Sequence, residues 1–165
     1  MAAVSYCGID PGAEGALALL GEPPTWAPMD TAAGEQLAPA LRALKAAHPA
    51  LLVGIERVSS YPGMGCAGAF RFGGSFYAPQ AACAALEIPY VLVGPKDWQR
   101  GMALPTGKDC QAERKEAIVA QAMARWPGVG WPKAKKARSA VADALYIALY
   151  VQRTEQPVRA AGGVA

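Results

Sequence analysis

The stretch Val4-Ser5-Tyr6-Cys7-Gly8-Ile9-Asp10-Pro11-Gly12-Ala13-Glu14-Gly15-Ala16-Leu17-Ala18-Leu19-Leu20 decides how the rest of the chain is organised. An apolar run ends abruptly on a carboxylate, turns on Pro11 and Gly12, and resumes as a second apolar run, which is the pattern of a β-hairpin. Asp10 then stands at a strand end. Asp-Pro-Gly is also good turn chemistry in its own right, so Asp10 is either a turn former or a site acid. Partner carboxylates at comparable places elsewhere decide between the two.

Beyond the hairpin, Glu22 to Met29 is broken by Pro23, Pro24 and Pro28 and supplies at most a short, irregular edge strand. From Glu35 to Ala47 the apolar residues Leu37, Leu41 and Leu44 recur at helical spacing, and His48-Pro49 ends the helix. The lone His48 at this boundary suits a surface or capping role. Ala50-Leu51-Leu52-Val53-Gly54-Ile55-Glu56 is too short for a helix and reads as an interior strand. It too stops on an acid. Open α/β sheets place their sites outside the C-terminal ends of strands, so Asp10 and Glu56 form a suggestive pair.

Arg57 to Tyr77 is rich in Gly, Ser and aromatics, and its glycines beside Phe70, Arg71 and Phe72 suit a surface that stacks on bases or wedges between them. The competing expectation is core packing of at least two of Phe70, Phe72 and Phe76, at the start of a helix through Ala81 to Leu86. Ile88 to Gly94 is a further strand. The loop Leu104 to Lys108 leads into a helix from about Asp109 to Arg125, which Trp126-Pro127-Gly128 stops. A basic connector, Lys133 to Arg138, delivers a last helix from Ser139 to about Arg153. Within it, Asp143 sits among Ala142, Ala144 and Leu145, and a carboxylate on an apolar helix face is costly to bury unless something cationic receives it.

A chain of 165 residues with 53% hydrophobic content suits one domain, expected over 1–153, with an Ala/Gly-rich tail at 154–165 expected to be disordered. No segment approaches the roughly 20 apolar residues of a membrane span, and the start lacks the layout of a secretory signal. The expectation is a protein with no membrane partner, working in the cytoplasm. Cys7, Cys66, Cys83 and Cys110 show no C-x-x-C pairing and, with one histidine, make a poor zinc set. They are expected to be reduced, mostly buried thiols. The net charge of +3 is uneven: Lys96 to Arg138 carries +6, leaving −3 for the rest. Such a basic region suggests a polyanionic partner.

Three acids from separated parts of the chain, Asp10, Glu56 and Asp143, need a reason to converge. Their mutual repulsion opposes shared ionisation unless divalent cations intervene, and hard oxygen ligands point to magnesium or manganese. Two such ions activate water and stabilise the leaving oxygen in phosphodiester hydrolysis. The basic half would hold a phosphate backbone. A Ser or Cys hydrolase has little support, since there is one histidine and no G-x-S-x-G elbow. The chain is also too short for the two lobes of an actin-like or sugar-kinase ATPase.

The ordered set Gly8-Ile9-Asp10-Pro11-Gly12, Ile55-Glu56, Val93-Gly94-Pro95-Lys96-Asp97-Trp98, Lys108-Asp109 before the Arg114-containing helix, and Ala142-Asp143-Ala144-Leu145-Tyr146-Ile147-Ala148 resembles the RuvC family of Holliday-junction resolvases, particularly its phage-type members. The resemblance implies an α/β ribonuclease H-like fold with a mixed central sheet flanked by helices. It also implies a homodimer on a four-way DNA junction and magnesium-dependent paired nicking, with manganese as a substitute. By motif position Asp10, Glu56 and Asp143 carry over as catalytic, metal-binding acids. Lys96, Arg100, Lys108, Arg114, Lys115 and Arg71 are the expected DNA contacts. Tyr61, Phe70 and Phe72 are candidates for an aromatic that wedges into the junction.

One position departs from the family pattern, which has a fourth Asp or His one turn before the last acid. Helical positions three or four residues apart share a face, and here they are Ala140 and Ser139. Either three acids suffice, or a nearby acid such as Asp109 compensates, or metal binding is impaired. The departure favours a competing class, a protein that grips branched DNA without cutting it. A ribonuclease of the same fold is the third reading.

Overall fold

The computed structural model describes residues 3–29, 36–59, 62–107 and 110–161. In chain order the strands and helices are β1 (Ser5–Asp10), β2 (Gly15–Leu19), β3 (Thr25–Met29), α1 (Leu37–Ala47), β4 (Leu51–Glu56), α2 (Cys66–Ala85), β5 (Tyr90–Val93), α3 (Pro95–Trp98), α4 (Gln111–Arg125) and α5 (Lys135–Ala161). The five strands form one mixed sheet in the order β3-β2-β1-β4-β5. β1 pairs antiparallel with β2 through the hairpin and parallel with β4, and β4 is parallel to β5. β3 carries Pro28 and lies at the edge, where a missing N–H costs no ladder bond.

Alternation along the strands sorts their side chains onto two faces. Cys7, Ile9, Leu17, Leu19, Val53 and Ile55 point to the side covered by α1 and α2, where they meet Leu37, Leu41 and Cys83. Tyr6, Leu52 and Val93 point to the other side and pack with Trp98, Ile118, Ala142, Ile147 and Val151 of α3, α4 and α5. The result is a three-layer α/β/α arrangement. Ile9 and Ile55 are fully buried, each stabilising the fold by roughly 1.5–3 kcal/mol.

On the α5 side, the residues between Tyr6 and Asp10, and between Leu52 and Glu56, are Gly8 and Gly54. These two glycines are paired in register. A Cβ on Gly8 would collide with the Ala144 carbonyl and lie 2.7 Å from the Ala148 nitrogen, while one on Gly54 would lie 2.6 Å from Val151 Cγ2. The absent side chains admit α5 against the sheet. Asp10 and Glu56 share the parity of those glycines, so both acids face α5, near the turn that carries Asp143.

Several expected boundaries differ. The stretch expected as a flexible surface from Arg57 is helical from Cys66 onward, and α2 runs through Pro79 to Ala85. Its buried residues Ser75, Pro79 and Cys83 recur every four positions, a stripe that apolar periodicity misses because it contains a serine and a proline. Core packing of at least two of the three phenylalanines does not occur: Phe76 packs on the core, Phe72 is half-buried and Phe70 is 84% exposed. The basic connector contributes the first turn of α5, which begins at Lys135 and continues past Arg153 to Ala161. Cys7 and Cys83 are buried and all four thiols are free, but Cys66 is exposed and Cys110 half-buried. No helix among the described residues is long and apolar enough to cross a membrane.

Candidate functional site

Asp10 ends β1, Glu56 ends β4, and Asp143 projects from α5 beside them. Asp10 and Asp143 line a cleft of about 670 Å³ bounded by the β1–β2 turn, one face of α4 and the start of α5. Glu56 lies behind this floor. Its Oε1 accepts a hydrogen bond of 2.9 Å from the buried indole N–H of Trp98. Trp98 is held in turn by stacking on Tyr146, whose ring meets Trp126 edge-on at 5.2 Å.

The electrostatics follow from burial of like charges. Desolvation raises the Asp10 carboxyl well above its ordinary range, and the charges of Asp143 and Glu56 raise it further. Burial raises Glu56 as well, but less, because the Trp98 donor and then a hydrogen bond with Asp10 favour its charged form. Burial, with the Glu56 charge, pushes Asp143 up to about 8. Its Oδ1 is buried with no hydrogen-bond partner. Lys115, across the cleft on α4, acts in the opposite direction on all three acids. Among the described residues, no three His, Cys, Asp or Glu side chains are drawn together tightly enough to hold a metal ion as they stand.

The other expected site residues divide. Lys115 lines the cleft. Arg114 instead turns back to the preceding loop, donating from Nε and Nη2 to the Pro105 carbonyl at 3.2 Å, so its guanidinium ties down that loop. Lys96 and Arg100 are exposed on and after α3, where Arg100 pairs weakly with Asp97 at 3.5 Å. Arg71 is exposed on α2 and donates to the Ala67 carbonyl. Tyr61, Lys108 and Asp109 lie outside the described residues. His48 caps α1 and shares a 2.9 Å hydrogen bond with Ser5 Oγ, in keeping with a capping role.

Sequence reasoning missed Trp98 as a partner of Glu56, and it treated Lys135, Lys136 and Arg138 as a connector although all three wall the cleft. One overlooked signal is the repeated tripeptide Gly-Ile-acid, Gly8-Ile9-Asp10 and Gly54-Ile55-Glu56. It marks two neighbouring strands approached by the same helix. Ala140 is buried and Ser139 half-buried, and both line the cleft one turn before Asp143. At Ala140 the cleft is therefore lined by a methyl group.

No family model matches the chain and no curated protein matches its sequence. Among solved structures it is similar to Thermus thermophilus RuvC in complex with a Holliday junction substrate. The TM-score is 0.60 at 18% identity, covering 92% of this chain and 96% of that one. Thermus thermophilus RuvC in a second structure gives 0.56 at 15% identity, over 92% and 97%. The yeast mitochondrial Holliday junction resolvase Ydc2 gives 0.48 at 14% identity, over 93% and 82%. With most of both chains superimposed in the first two cases, this protein has the ribonuclease H-like fold of RuvC.

Proposed function

We propose that the protein is a structure-specific endodeoxyribonuclease that resolves four-way or otherwise branched DNA junctions by paired nicking. The observation that carries this reading is the meeting of Asp10, Glu56 and Asp143 beneath a cleft walled by cations. Cations on the wall suit a polyanionic strand, and acids on the floor suit hydrolysis of its backbone. The fold shared with RuvC supports the same substrate class.

The acids fit a hard divalent cation, magnesium or manganese. All donors are carboxylate oxygens, the Asp143 Oδ1 has no partner, and burial and mutual repulsion raise the Asp10 carboxyl, a repulsion that a cation would relieve. When bound, the ion supplies the charge that activates water and stabilises the leaving oxygen. Asp10, Glu56 and Asp143 would hold it, Trp98 orients Glu56, and Lys115 offsets the negative charge of the set.

A homodimer suits a substrate with two strands to nick. Gly74, Tyr77, Ala81 and Ala84 on α2 are exposed at alternating spacings of three and four, the seam a second copy's helix would fill. Phe70, the most exposed aromatic among the described wedge candidates, stands one turn earlier on the same helix. Buried Ala140 favours a second reading, a branched-DNA binding protein that does not cut.

The test is incubation of a labelled four-way junction with and without magnesium, beside Asp10→Asn. Symmetric nicks that need both magnesium and Asp10 support the nuclease. Junction binding without product selects the binding protein, and preferential cutting of RNA hairpins selects a ribonuclease of this fold. Equal cleavage by both proteins removes Asp10 from the mechanism.

A further inference from the structure

Four cations wall the cleft, Lys115, Lys135, Lys136 and Arg138. Two are already matched: Lys135 pairs with Glu116 at 2.6 Å and Lys136 with Glu14 at 3.2 Å. Lys115 acts electrostatically on Asp10 and Asp143 of the floor and on Glu56 behind it. Arg138, like Lys115, belongs to neither ion pair, and what sets it apart is a buried donor. Among the described residues no carboxylate lies within ion-pair distance of it. Its Nη2 donates to the Lys133 carbonyl at 2.8 Å, and its Nε is buried without a hydrogen-bond partner.

A guanidinium keeps its charge at any pH the protein meets, and a charged donor left without an anion in a partly desolvated place costs free energy. The tether to Lys133 holds that charge at the cleft wall. Once the two rim pairs cancel, the cleft lining holds Asp10 and Asp143 against Lys115 and Arg138. Lys115 is exposed and acts on the acids from beyond ion-pair distance, whereas Arg138 holds a buried N–H with no acceptor, so Arg138 is the cation poised for an incoming anion. Its planar donors match the nonbridging oxygens of a phosphodiester, which accept two parallel N–H bonds. Arg138 also sits on α5 close before Ala140, on the stretch of helix where the site lacks an acid, so a DNA phosphate there meets no fourth carboxylate.

We propose that Arg138 is a phosphate-binding residue of this cleft, holding a phosphodiester of the DNA strand beside Asp10 and Asp143. This rests on the reading of the cleft as a DNA site. The test measures binding of the full chain to a fluorescent four-way junction in EDTA, over a series of salt concentrations, for wild type, Arg138→Gln and Arg138→Lys. Melting temperatures are recorded in parallel. The expected result is roughly tenfold weaker binding for Arg138→Gln, with the slope of log affinity against log salt shallower by about one phosphate contact. Arg138→Lys, which keeps the charge, retains the slope and loses only part of the affinity. Unchanged binding and slope in Arg138→Gln overturn the proposal. So does weaker binding with a lowered melting temperature and an unchanged slope, which assigns Arg138 to the tether alone. Failure of the wild type to bind any DNA overturns the functional reading itself, and this inference with it.

Discussion

Gly8 of β1 lies directly under Ala144 of α5, with no room for a side chain between strand and helix. The contact sets the depth at which α5 rests on the sheet, and hence the distance of Asp143 from Asp10 and Glu56. Gly8→Ala forces a methyl into the Ala144 carbonyl, which is backbone and has no rotamer to yield. We expect a loss of about 3 kcal/mol or more, at the upper end of overpacking penalties. Chemical denaturation measures it, and a loss below about 1 kcal/mol would contradict the close approach.

Gly73 offers the opposite case. It lies inside α2 with nothing within 4 Å of an added Cβ and no left-handed backbone to preserve. Gly73→Ala is therefore expected to stabilise the protein by about 0.5–1 kcal/mol through helix propensity, read as a raised denaturation midpoint at unchanged slope.

Trp98 fixes Glu56 through one hydrogen bond from its indole N–H. Trp98→Phe keeps an aromatic ring but deletes that donor, so the Glu56 carboxyl rises further in proton affinity and loses its orientation. Partners that orient a ligand carboxylate are commonly worth roughly 10–100-fold in metal affinity or activity. A decrease of that order in magnesium-dependent cleavage is the expected outcome, measured at a temperature where the variant, whose smaller ring lowers the melting temperature, is still fully folded. Trp98→Phe cleaving at the wild-type rate would assign the indole to packing alone.

How much of this was legible in the sequence depends on whether the deciding contacts are local. The hairpin, the β4 run and the Leu37, Leu41, Leu44 face of α1 follow from periodicity, and each forms as expected. The acids at the ends of β1 and β4 were legible for the same reason. α2 was not, because Gly73, Gly74 and Pro79 weaken local propensity and its buried stripe is Ser75, Pro79 and Cys83; packing against α1 and the sheet overrides the local preference. The Trp98–Glu56 bond joins residues far apart in sequence. The cleft's cations looked like a linker because a solvated first helical turn and a basic loop have the same composition.

Asp143 gives the pH dependence. Its carboxyl titrates at about 8 in the folded protein against 3.8 in its ordinary state, raised first by burial and then by the Glu56 charge. The fold thus prefers the neutral acid, so this contribution to stability is complete below about pH 4 and is lost as pH rises through about 8. In EDTA the melting temperature should fall between about pH 5 and pH 8. Asp143→Asn has no such proton to lose, so its profile should be flatter and its melting temperature at pH 8 higher, by about 2–4 °C per kcal/mol recovered. Parallel profiles for the two proteins would contradict the raised carboxyl.

Ala140 carries the sharpest prediction, because the same substitution should harm the empty site and help the filled one. The residue is 4% exposed and lines the cleft one turn before Asp143, so Ala140→Asp adds a fourth carboxylate to a set already raised by burial and by mutual repulsion. Without a divalent ion, the extra buried charge should lower the melting temperature. With magnesium it gains a partner, and the ion-induced rise in melting temperature should exceed that of wild type. Junction cleavage should increase if a missing ligand limits the natural site. A rise in magnesium stabilisation without any gain in cleavage would mean that three acids already suffice for the chemistry. No rise in either would mean that Ala140 does not stand at the ligand position.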